Sequence, residues 1–342
     1  RAPRGGRARA GEFVLRAASS ALSGRERVVL AVSGGLDSMV LLDAVRRCAA
    51  LSSSSIIVAT FDHRTGPHSA KAAKAVAKRA ESLGLRCVVG VATRTSSKEH
   101  EWRDERWKFL RATALQVRAP VVTAHTLDDQ IETVFMRILR DAGARGLAGL
   151  YADSDVVRPF LELTRAQLEK YAVSRRVHFV TDPSNESRLH LRNRVRHELL
   201  PAIRKVRPAF PSSLVSIARM AATWREEMDQ TLAEIRLEQL PDGAIRVARG
   251  ELAGYDAESL RTLWPAIAAK AGVVMDRRGT HRVAEFTMKG HTGGSVQLSG
   301  GIEVRMFRDH LWLGRWDAGR VEMIRASRLS TASAHGSRLG QA

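Results

Sequence analysis

The chain has 342 residues, of which 44% are hydrophobic, enough for two or three domains with folded cores. No apolar run is long enough to span a bilayer, which argues against a membrane span. The only cysteines, Cys48 and Cys87, lie in no CxxC motif, which argues against a structural zinc, an iron–sulfur cluster and a disulfide scaffold. The formal net charge of +19 favours nucleic acid as a partner, although an Arg-rich solvated surface would give the same charge.

The first residues are basic. Residues 1–11 are rich in Arg, Gly and Ala and contain no acid, which predicts a disordered arm or the end of an organellar transit segment. Residues 11–23 predict a short amphipathic helix. The arm and this helix together form the first expected division of the chain, residues 1–22. The expected location is the cytoplasm, because the cysteine usage fits a reducing compartment, or an organelle if the arm belongs to a transit segment.

The next stretch predicts a buried strand, a glycine loop and a helix. Residues 28–32 form the short β-branched and apolar run of a central parallel strand. The loop Ser33-Gly34-Gly35-Leu36-Asp37-Ser38 follows at once, and an apolar helical face starts at Met39. Where such a loop meets a helix N-terminus, backbone N–H groups and the helix dipole favour a phosphate. The loop is therefore predicted to bind a polyphosphate; the alternative is an ordinary Gly-Gly turn.

The residue types of this loop suit phosphate chemistry. Gly34 and Gly35 let the backbone approach phosphate oxygens without a Cβ in the way, and Ser33 and Ser38 add hydroxyl donors. Asp37 would repel a phosphate unless a cation lay between them, so the loop predicts Mg²⁺ bridging Asp37 to a polyphosphate. The loop lacks both Gly-Lys-Ser/Thr and GxGxxG, which excludes a Walker loop and a dinucleotide-binding turn.

Strands and helices alternate over the first half of the chain, which predicts right-handed βαβ units. The predicted strands of this half are 28–32, 56–61, 87–92, 119–124 and 156–159. The predicted helices are 39–50, 70–83, 98–118, 128–141, one starting at 164–167, 191–206, 212–239 and 259–271. Short strands at 295–298, 302–306 and 311–313 follow, with Ser299-Gly300-Gly301 as a hairpin turn.

This order predicts an α/β fold, with a doubly wound and mostly parallel sheet followed by a helical region and a small α+β domain. Pro208 and Pro211 mark the boundary. The expected divisions are a catalytic domain at 23–207, a helical and α+β region at 208–318 and a disordered tail at 319–342, which is rich in Ser, Arg and Gly.

Polar residues stand where predicted strands end. Asp62 and His63 follow the second strand and His125 follows the fourth, and ligands bind at those ends in open parallel sheets. Asp129 and Glu132 are three residues apart, so they share a face in the first turn of the next helix. Paired carboxylates there can bind an ammonium group or Mg²⁺; the alternative is a pair that caps the helix.

Two groups of arginines are the remaining candidates. Arg103 and Arg106 share a helix face and could clamp a polyphosphate, or they could belong to a solvated face with local ion pairs. Residues 192–201 read Arg-Asn-Arg-Val-Arg-His-Glu-Leu-Leu-Pro, a density of basic groups that suits a phosphate backbone. A solvated basic face is again the alternative.

Several stretches together resemble the bacterial tRNA(Ile)-lysidine synthetases, which are N-type ATP pyrophosphatases with a pyrophosphate (PP) loop. In family order they are SGGLDS (33–38), DH (62–63), ExxxRxxRW (99–107), AHTLDDQIETVFMR (124–137), RGLAGL (145–150), RPFLELTRAQL (158–168) and DPSN…RNRVRHELLP (182–201). The chain departs from the family pattern at 64–67, which read Arg-Thr-Gly-Pro where Gly-Leu-Arg-Pro is usual, and Trp107 replaces a usual tyrosine.

The resemblance implies a reaction of ATP, free L-lysine and the isoleucine tRNA with a CAU anticodon. ATP adenylates the 2-carbonyl oxygen of the wobble cytidine and pyrophosphate leaves; the lysine ε-amine then attacks that carbon, AMP leaves, and lysidine is formed. The alternatives are a tRNA thiolase of the same ATP class, which would need a cysteine pair near the site, and a non-catalytic tRNA-binding protein with a relic nucleotide loop.

The resemblance also implies residue roles. Asp37, Asp129, Glu132 and Arg106 are the expected catalytic residues, with Mg²⁺ on Asp37 and also Asp129, and lysine on Asp129 and Glu132. The expected ATP and pyrophosphate site comprises Ser33, Gly34, Gly35, Leu36, Asp37, Ser38, Asp62, His63, Arg103 and His125. The expected tRNA-binding residues are Arg192, Asn193, Arg194 and Arg196, and the helical and α+β region at 208–318 is also expected to bind tRNA.

Overall fold

The structure is a computed structural model that describes residues 5–48, 51–93, 99–181 and 191–316. The chain divides into two compact units. The first comprises the residues up to Thr133 together with Asp153–Ser212, and the second comprises Val134–Ala152 and the residues from Ser213 onwards. The predicted tail at 319–342 and the motif Asp182-Pro183-Ser184-Asn185 lie outside the described residues.

A parallel sheet of five strands forms the centre of the first unit. Its strands are β1 (Val28–Ala31), β2 (Ile56–Asp62), β3 (Arg86–Val91), β4 (Val121–Val122) and β5 (Val156–Val157). The order is β3-β2-β1-β4-β5, and every neighbouring pair is parallel. The order reverses at β1, so the carboxyl ends of β1 and β4 are the expected place for a ligand.

Helices lie on both faces of this sheet. They are α1 (Gly5–Leu22), α2 (Leu36–Arg47), α3 (Pro67–Ser82), α4 (Glu99–Val117) and α7 (Arg165–Arg175). The remaining helices of this part of the chain are α5 (Leu127–Leu139), α8 (Leu191–Arg194), α9 (Leu200–Val206) and α6 (Ala144–Leu147); α5 ends in the second unit, and α6 belongs to it. Successive β1 residues point to opposite faces: Val28 and Leu30 pack in a core with α1, α2 and α7, and Val29 packs against α4. The predicted doubly wound fold is confirmed.

The second unit contains an antiparallel sheet in the order β6-β7-β10-β9-β8. Its elements are α10 (Phe210–Glu234), which begins just before the division, β6 (Leu237–Gln239), β7 (Ile245–Ala248), α11 (Ala257–Lys270), α12 (Arg277–Lys289), β8 (Ser295–Leu298), β9 (Ile302–Met306) and β10 (His310–Arg315). Residues of α11, α12 and the sheet form one core, with Trp264 fully buried within it.

Three local predictions can be compared with this structure. The hairpin turn at Ser299-Gly300-Gly301 is confirmed, because it joins the antiparallel β8 and β9 and both glycines have positive φ. The helix predicted to run to Gln239 is wrong at its end, since residues 237–239 pair with β7 across a turn at Gly243. The arm predicted as disordered over 1–11 is also wrong in part, because α1 begins at Gly5.

The helix predicted over 191–206 is present but irregular. A π-helical turn, Val195–Leu199, separates α8 from α9. A π turn accommodates one residue more than an α turn and is common at functional sites. No helix among the described residues combines the length and the apolar composition needed to cross a membrane.

Candidate active site

The loop after β1 closes on itself through its two serines. The Ser33 N–H donates to Ser38 Oγ at 3.2 Å, and the Ser38 hydroxyl donates to the Gly35 carbonyl at 2.9 Å. Gly34 has φ +90°, in the left-handed region that favours glycine. Gly35 is the N-cap of α2, and within the described ranges no side-chain hydrogen bond caps this helix. Backbone N–H groups at such a helix end can bind a phosphate.

Asp37 lies in the first turn of α2 and faces a cleft of about 480 Å³. Its Oδ1 is buried and has no hydrogen-bond partner among the described residues, while Oδ2 is 3.8 Å from Arg165 Nη1. Burial raises the pKa of Asp37 from 3.8 to about 6, against the opposing charge of Arg165. A buried carboxylate oxygen without a partner is a suitable ligand for a cation.

The donor set suits Mg²⁺ bound together with a polyphosphate, and not a site made by protein ligands alone. Among the described residues, no group of three or more His, Cys, Asp or Glu side chains could hold a metal. Mg²⁺ in nucleotide sites commonly binds one or two carboxylates and completes its coordination with phosphates and water. Asp37 fits the carboxylate role, and the charge of Asp129 also contributes to its raised pKa.

Asp129 has two different sets of partners. Thr126 donates from both its backbone N–H and its hydroxyl to Asp129 Oδ2, each at 2.9 Å, and so fixes the first turn of α5. Asp129 Oδ1 faces Arg192 Nη2 at 3.2 Å and Arg196 Nη2 at 3.5 Å. Burial acts to raise the pKa of Asp129, but Arg192 and the Thr126 hydrogen bonds outweigh it and hold the pKa below its usual value.

Glu132 is the buried centre of the same cluster. Its side chain is only 4% exposed; Arg192 Nε lies 3.0 Å from Oε2, and Arg196 Nε lies 2.6 Å from Oε1. Burial disfavours the charged form of Arg196, but its hydrogen bonds to Glu132 raise its pKa above the usual value. Both residues predicted for lysine and two of the four predicted for tRNA therefore form one ion-pair cluster, which we call the carboxylate–arginine cluster (Asp129, Glu132, Arg192, Arg196).

Two neighbouring groups, Arg106 and His125, feel the charges of this cluster. Burial lowers the pKa of Arg106 to about 10, with Arg103 and Arg192 adding to the effect, and Arg106 Nε is buried with no hydrogen-bond partner in the described part of the chain. Burial lowers the pKa of His125 to about 4, and its Nδ1 contacts Thr123 Oγ1 at 2.8 Å. His125 is therefore neutral at pH 7.

The remaining predicted ligands lie elsewhere in the first unit. Asp62 Oδ1 accepts hydrogen bonds from Ser69 Oγ at 2.6 Å and from the Arg64 N–H at 2.9 Å, so it closes its own loop. Arg64, at a position where the family usually has glycine, has φ +54°. Arg194 is half exposed and has an i,i+4 pair with Glu198 at 3.6 Å. The ATP role of Asp62 and His63 remains a prediction.

Sequence reasoning missed the opposite wall of the cleft. Arg165 and Glu169 on α7 line it together with Phe179, Val180 and Thr181. The Val180 N–H also donates to the Gly34 carbonyl at 2.9 Å, which fixes the loop. A usable signal was present, because Thr164 and Gln167 form a capping box that starts α7 just after β5, at the ligand-binding edge of the sheet.

Comparison with known proteins gives the family. A PP-loop domain family matches residues 11–203. A tRNA(Ile)-lysidine synthase of Salinispora arenicola is 32% identical over 309 residues, which cover 85% of this chain and 91% of that protein. The chain belongs to the tRNA(Ile)-lysidine synthase family of PP-loop enzymes.

Two further comparisons define how far this relationship extends. A tRNA(Ile)-lysidine synthase of Thermosipho africanus is 33% identical over 199 residues, 56% of this chain, and the chain spans about half (47%) of that relative's length. A solved structure of a U34-tRNA thiolase of Methanococcus maripaludis, described with its iron–sulfur cluster, superposes with a TM-score of 0.50 and 17% sequence identity. The match covers 62% of this chain and 78% of the thiolase chain. This second likeness shows the fold alone.

Proposed function

We propose that the chain catalyses ATP-dependent formation of lysidine on the isoleucine tRNA with a CAU anticodon. The observation that carries the proposal is the position of Arg196. It lines the same cleft as Ser33, Asp37 and Ser38, and it also pairs with Glu132 and Asp129. A phosphate loop and a carboxylate pair are thus connected by one side chain, as a reaction that uses ATP and then an amine requires.

The first step is the attack of the cytidine 2-carbonyl oxygen on the α-phosphorus of ATP, with pyrophosphate leaving. The loop residues Ser33–Ser38 bind the departing pyrophosphate, and Asp37 with its partnerless Oδ1 would hold Mg²⁺, with Asp129 nearby. When bound, Mg²⁺ would supply positive charge that offsets the negative charge of the phosphates. Arg106, buried next to Arg192, stabilises the negative charge that develops.

The second step forms the carbon–nitrogen bond. The lysine ε-amine attacks C2 of the adenylated cytidine, and AMP leaves with the oxygen. An ammonium group is not a nucleophile, so Asp129 and Glu132 bind it and accept a proton. Both carboxylates are held by arginines in this structure, so lysine can take the site only when those guanidinium groups find another partner.

Phosphate is the natural alternative partner for these arginines, since guanidinium binds phosphate oxygens as well as carboxylates. Arg196 already lines the nucleotide cleft, and the tRNA backbone supplies further phosphates. Transfer of Arg192 or Arg196 to phosphate frees Glu132 for lysine. The two roles proposed for this cluster then follow one another: nucleotide and tRNA bind first, and lysine binds second.

Cysteine placement favours this ligase over a thiolase. The chain has two cysteines; Cys48 is buried against the Leu15 carbonyl, and neither cysteine lines the cleft beside the PP loop.

The basic test is a product assay with labelled ATP, lysine and tRNA. We expect AMP, pyrophosphate and lysidine, with a requirement for Mg²⁺. The variant Asp37→Asn should slow pyrophosphate release by about 100-fold or more, because a preorganised charge is lost. Asp153→Asn, an exposed carboxylate in the same unit, is the matched control and should keep full activity. Release of ADP and phosphate would exclude the proposal.

The half-reactions can be separated with Glu132→Gln. It keeps the shape and removes the charge, so tRNA adenylation should continue while lysine transfer falls and the lysine KM rises. Equal loss of adenylation and transfer would assign Glu132 a structural or metal role instead.

Calorimetry tests whether lysine binds after the nucleotide and the tRNA. Lysine affinity, measured by calorimetry, should be at least 10-fold higher with tRNA and a non-hydrolysable ATP analogue than for the protein alone, and Arg192→Gln should reduce this difference. Equal lysine affinity in the two conditions would contradict the exchange of arginine partners.

A further inference from the structure

A second cavity lies within the second unit and plays no part in the proposed reaction. Its volume is about 820 Å³, within the usual range of small-molecule sites. The end of α5 and the following loop form one wall, and α10, α11 and the start of α12 form the others. All lining residues belong to this unit.

The loop wall is held in place by three independent contacts. The Arg137 guanidinium donates to the Gly146 carbonyl. Arg145 Nη2 contacts both carboxylate oxygens of Asp229, at 2.8 and 3.0 Å. A β-bridge joins Ala142 to Asp276 at the start of α12. The cavity is therefore preformed, which lowers the entropic cost of binding a ligand.

The charge of the lining is strongly positive. Six arginines and two aspartates line the cavity. One of these acids, Asp276, already accepts hydrogen bonds from the Gly279 N–H and the Ser299 hydroxyl. Arg140, Arg261 and Arg277 are exposed and make no ion pair within the described part of the chain. These three, which we call the cavity arginines, remain available to an anion.

One part of the lining is apolar and includes an aromatic ring. Trp224 is half-buried on α10, and Pro265, Ala269 and Met275 lie on the same lining. A half-buried indole ring offers a stacking surface to a planar aromatic group such as a nucleic-acid base. The cavity thus combines a flat apolar surface with free guanidinium groups.

We infer that this cavity binds a nucleotide, with the base against Trp224 and the phosphate between the cavity arginines. A base supplies the flat apolar body and a phosphate the anionic group, and guanidinium recognises phosphate in a bidentate manner. Such a nucleotide has two sources: an unstacked residue of an RNA, or a free mononucleotide. The inference does not depend on the reaction proposed for the first unit.

Photocrosslinking of the full chain tests the inference and distinguishes the sources. The probes are 8-azidoadenosine monophosphate and a tRNA anticodon stem-loop containing 4-thiouridine, with labelled peptides mapped by mass spectrometry. We expect one of the two probes to label residues around Trp224 and the start of α12. The successful probe identifies the source, and labelling of this region by neither probe would overturn the inference.

Substitutions in the lining test whether the cavity itself binds the probe. Arg261→Gln with Arg277→Gln should weaken binding of that probe at least 10-fold. The matched control is Arg278→Gln with Arg282→Gln, which makes the same charge change at exposed positions outside the lining and should stay within twofold. Equal losses for the two pairs would indicate a diffuse basic surface and overturn the site.

Two further measurements complete the test. Trp224→Leu should weaken nucleotide labelling about 10-fold or more. In the parent chain, inorganic phosphate should compete only weakly with the nucleotide probe. If phosphate competed as well as the unlabelled nucleotide, recognition of the base would be overturned. Asp37→Asn should leave labelling of the cavity unchanged, because Asp37 belongs to the other unit. Failure of the lysidine reaction and failure of this site are therefore observed separately.

Discussion

The arginines of the two units differ in what they face. Arg192 and Arg196 come from a run dense in basic residues, yet both turn onto the carboxylates Asp129 and Glu132. The cavity arginines are scattered along the sequence and face few acids. Local density of positive charge in a sequence therefore does not predict which arginines are free for an anion. Their availability depends on the acids that the fold places opposite them.

The largest expected effect is the loss of folding stability when the carboxylate–arginine cluster is broken. Glu132→Gln leaves two mostly buried guanidinium groups without their central carboxylate and should lower the free energy of unfolding by about 3 kcal/mol. The control Glu198→Gln removes the half-exposed i,i+4 partner of Arg194 and should cost less than about 0.5 kcal/mol. Urea unfolding measures both, and equal losses would mean that the cluster is no more stabilising than a surface pair.

A smaller effect of opposite sign is expected at Asp37. Its folded-state pKa of about 6 exceeds the unfolded value of 3.8, so ionised Asp37 destabilises the fold at high pH. Asp37→Asn should raise the free energy of unfolding by up to about 2 kcal/mol at pH 8, and the gain should shrink as the pH falls from 6 to 4. Urea unfolding across this pH range checks the sign. A variant less stable than the parent chain at pH 8 would contradict the cost assigned to this buried charge.

The smallest effects concern tRNA binding by the 192–196 segment. Arg194 is half exposed, so Arg194→Gln should lower the slope of log K against log salt by about one unit. Arg192→Gln should give the same change only if Arg192 leaves its carboxylates for phosphate. Filter binding at several salt concentrations measures both slopes. An unchanged slope for Arg192→Gln would mean that Arg192 keeps its carboxylate partners in the complex with tRNA.

Local patterns predicted much of the first unit. The β-branched run before the PP loop, the glycines within it and the three-residue spacing of Asp129 and Glu132 each depend on neighbours in sequence, and the structure has the strand, the loop and the shared helix face. The pairing of Glu132 with Arg192 joins residues 60 positions apart. No periodicity encodes such a contact, so lysine and tRNA residues were predicted as separate sets.

The second unit shows the same limit in another form. The helical spacing before Leu237 continues without interruption in the sequence, but pairing with β7 ends the helix at Glu234. Strands β6 and β7 and helix α12 were not predicted, because short segments with mixed polarity acquire their structure from a shared core. The cavity is formed by several such segments and was therefore invisible in the sequence.

The π turn Val195–Leu199 sets the direction in which Arg192 points. It holds one residue more than a regular helical turn, and one residue corresponds to about 100° of rotation around the helix axis. Arg192 precedes the turn, so the surplus residue determines which side of the segment it occupies relative to α9. Deleting one residue from the turn would rotate Arg192 relative to α9 and remove its contact with Glu132.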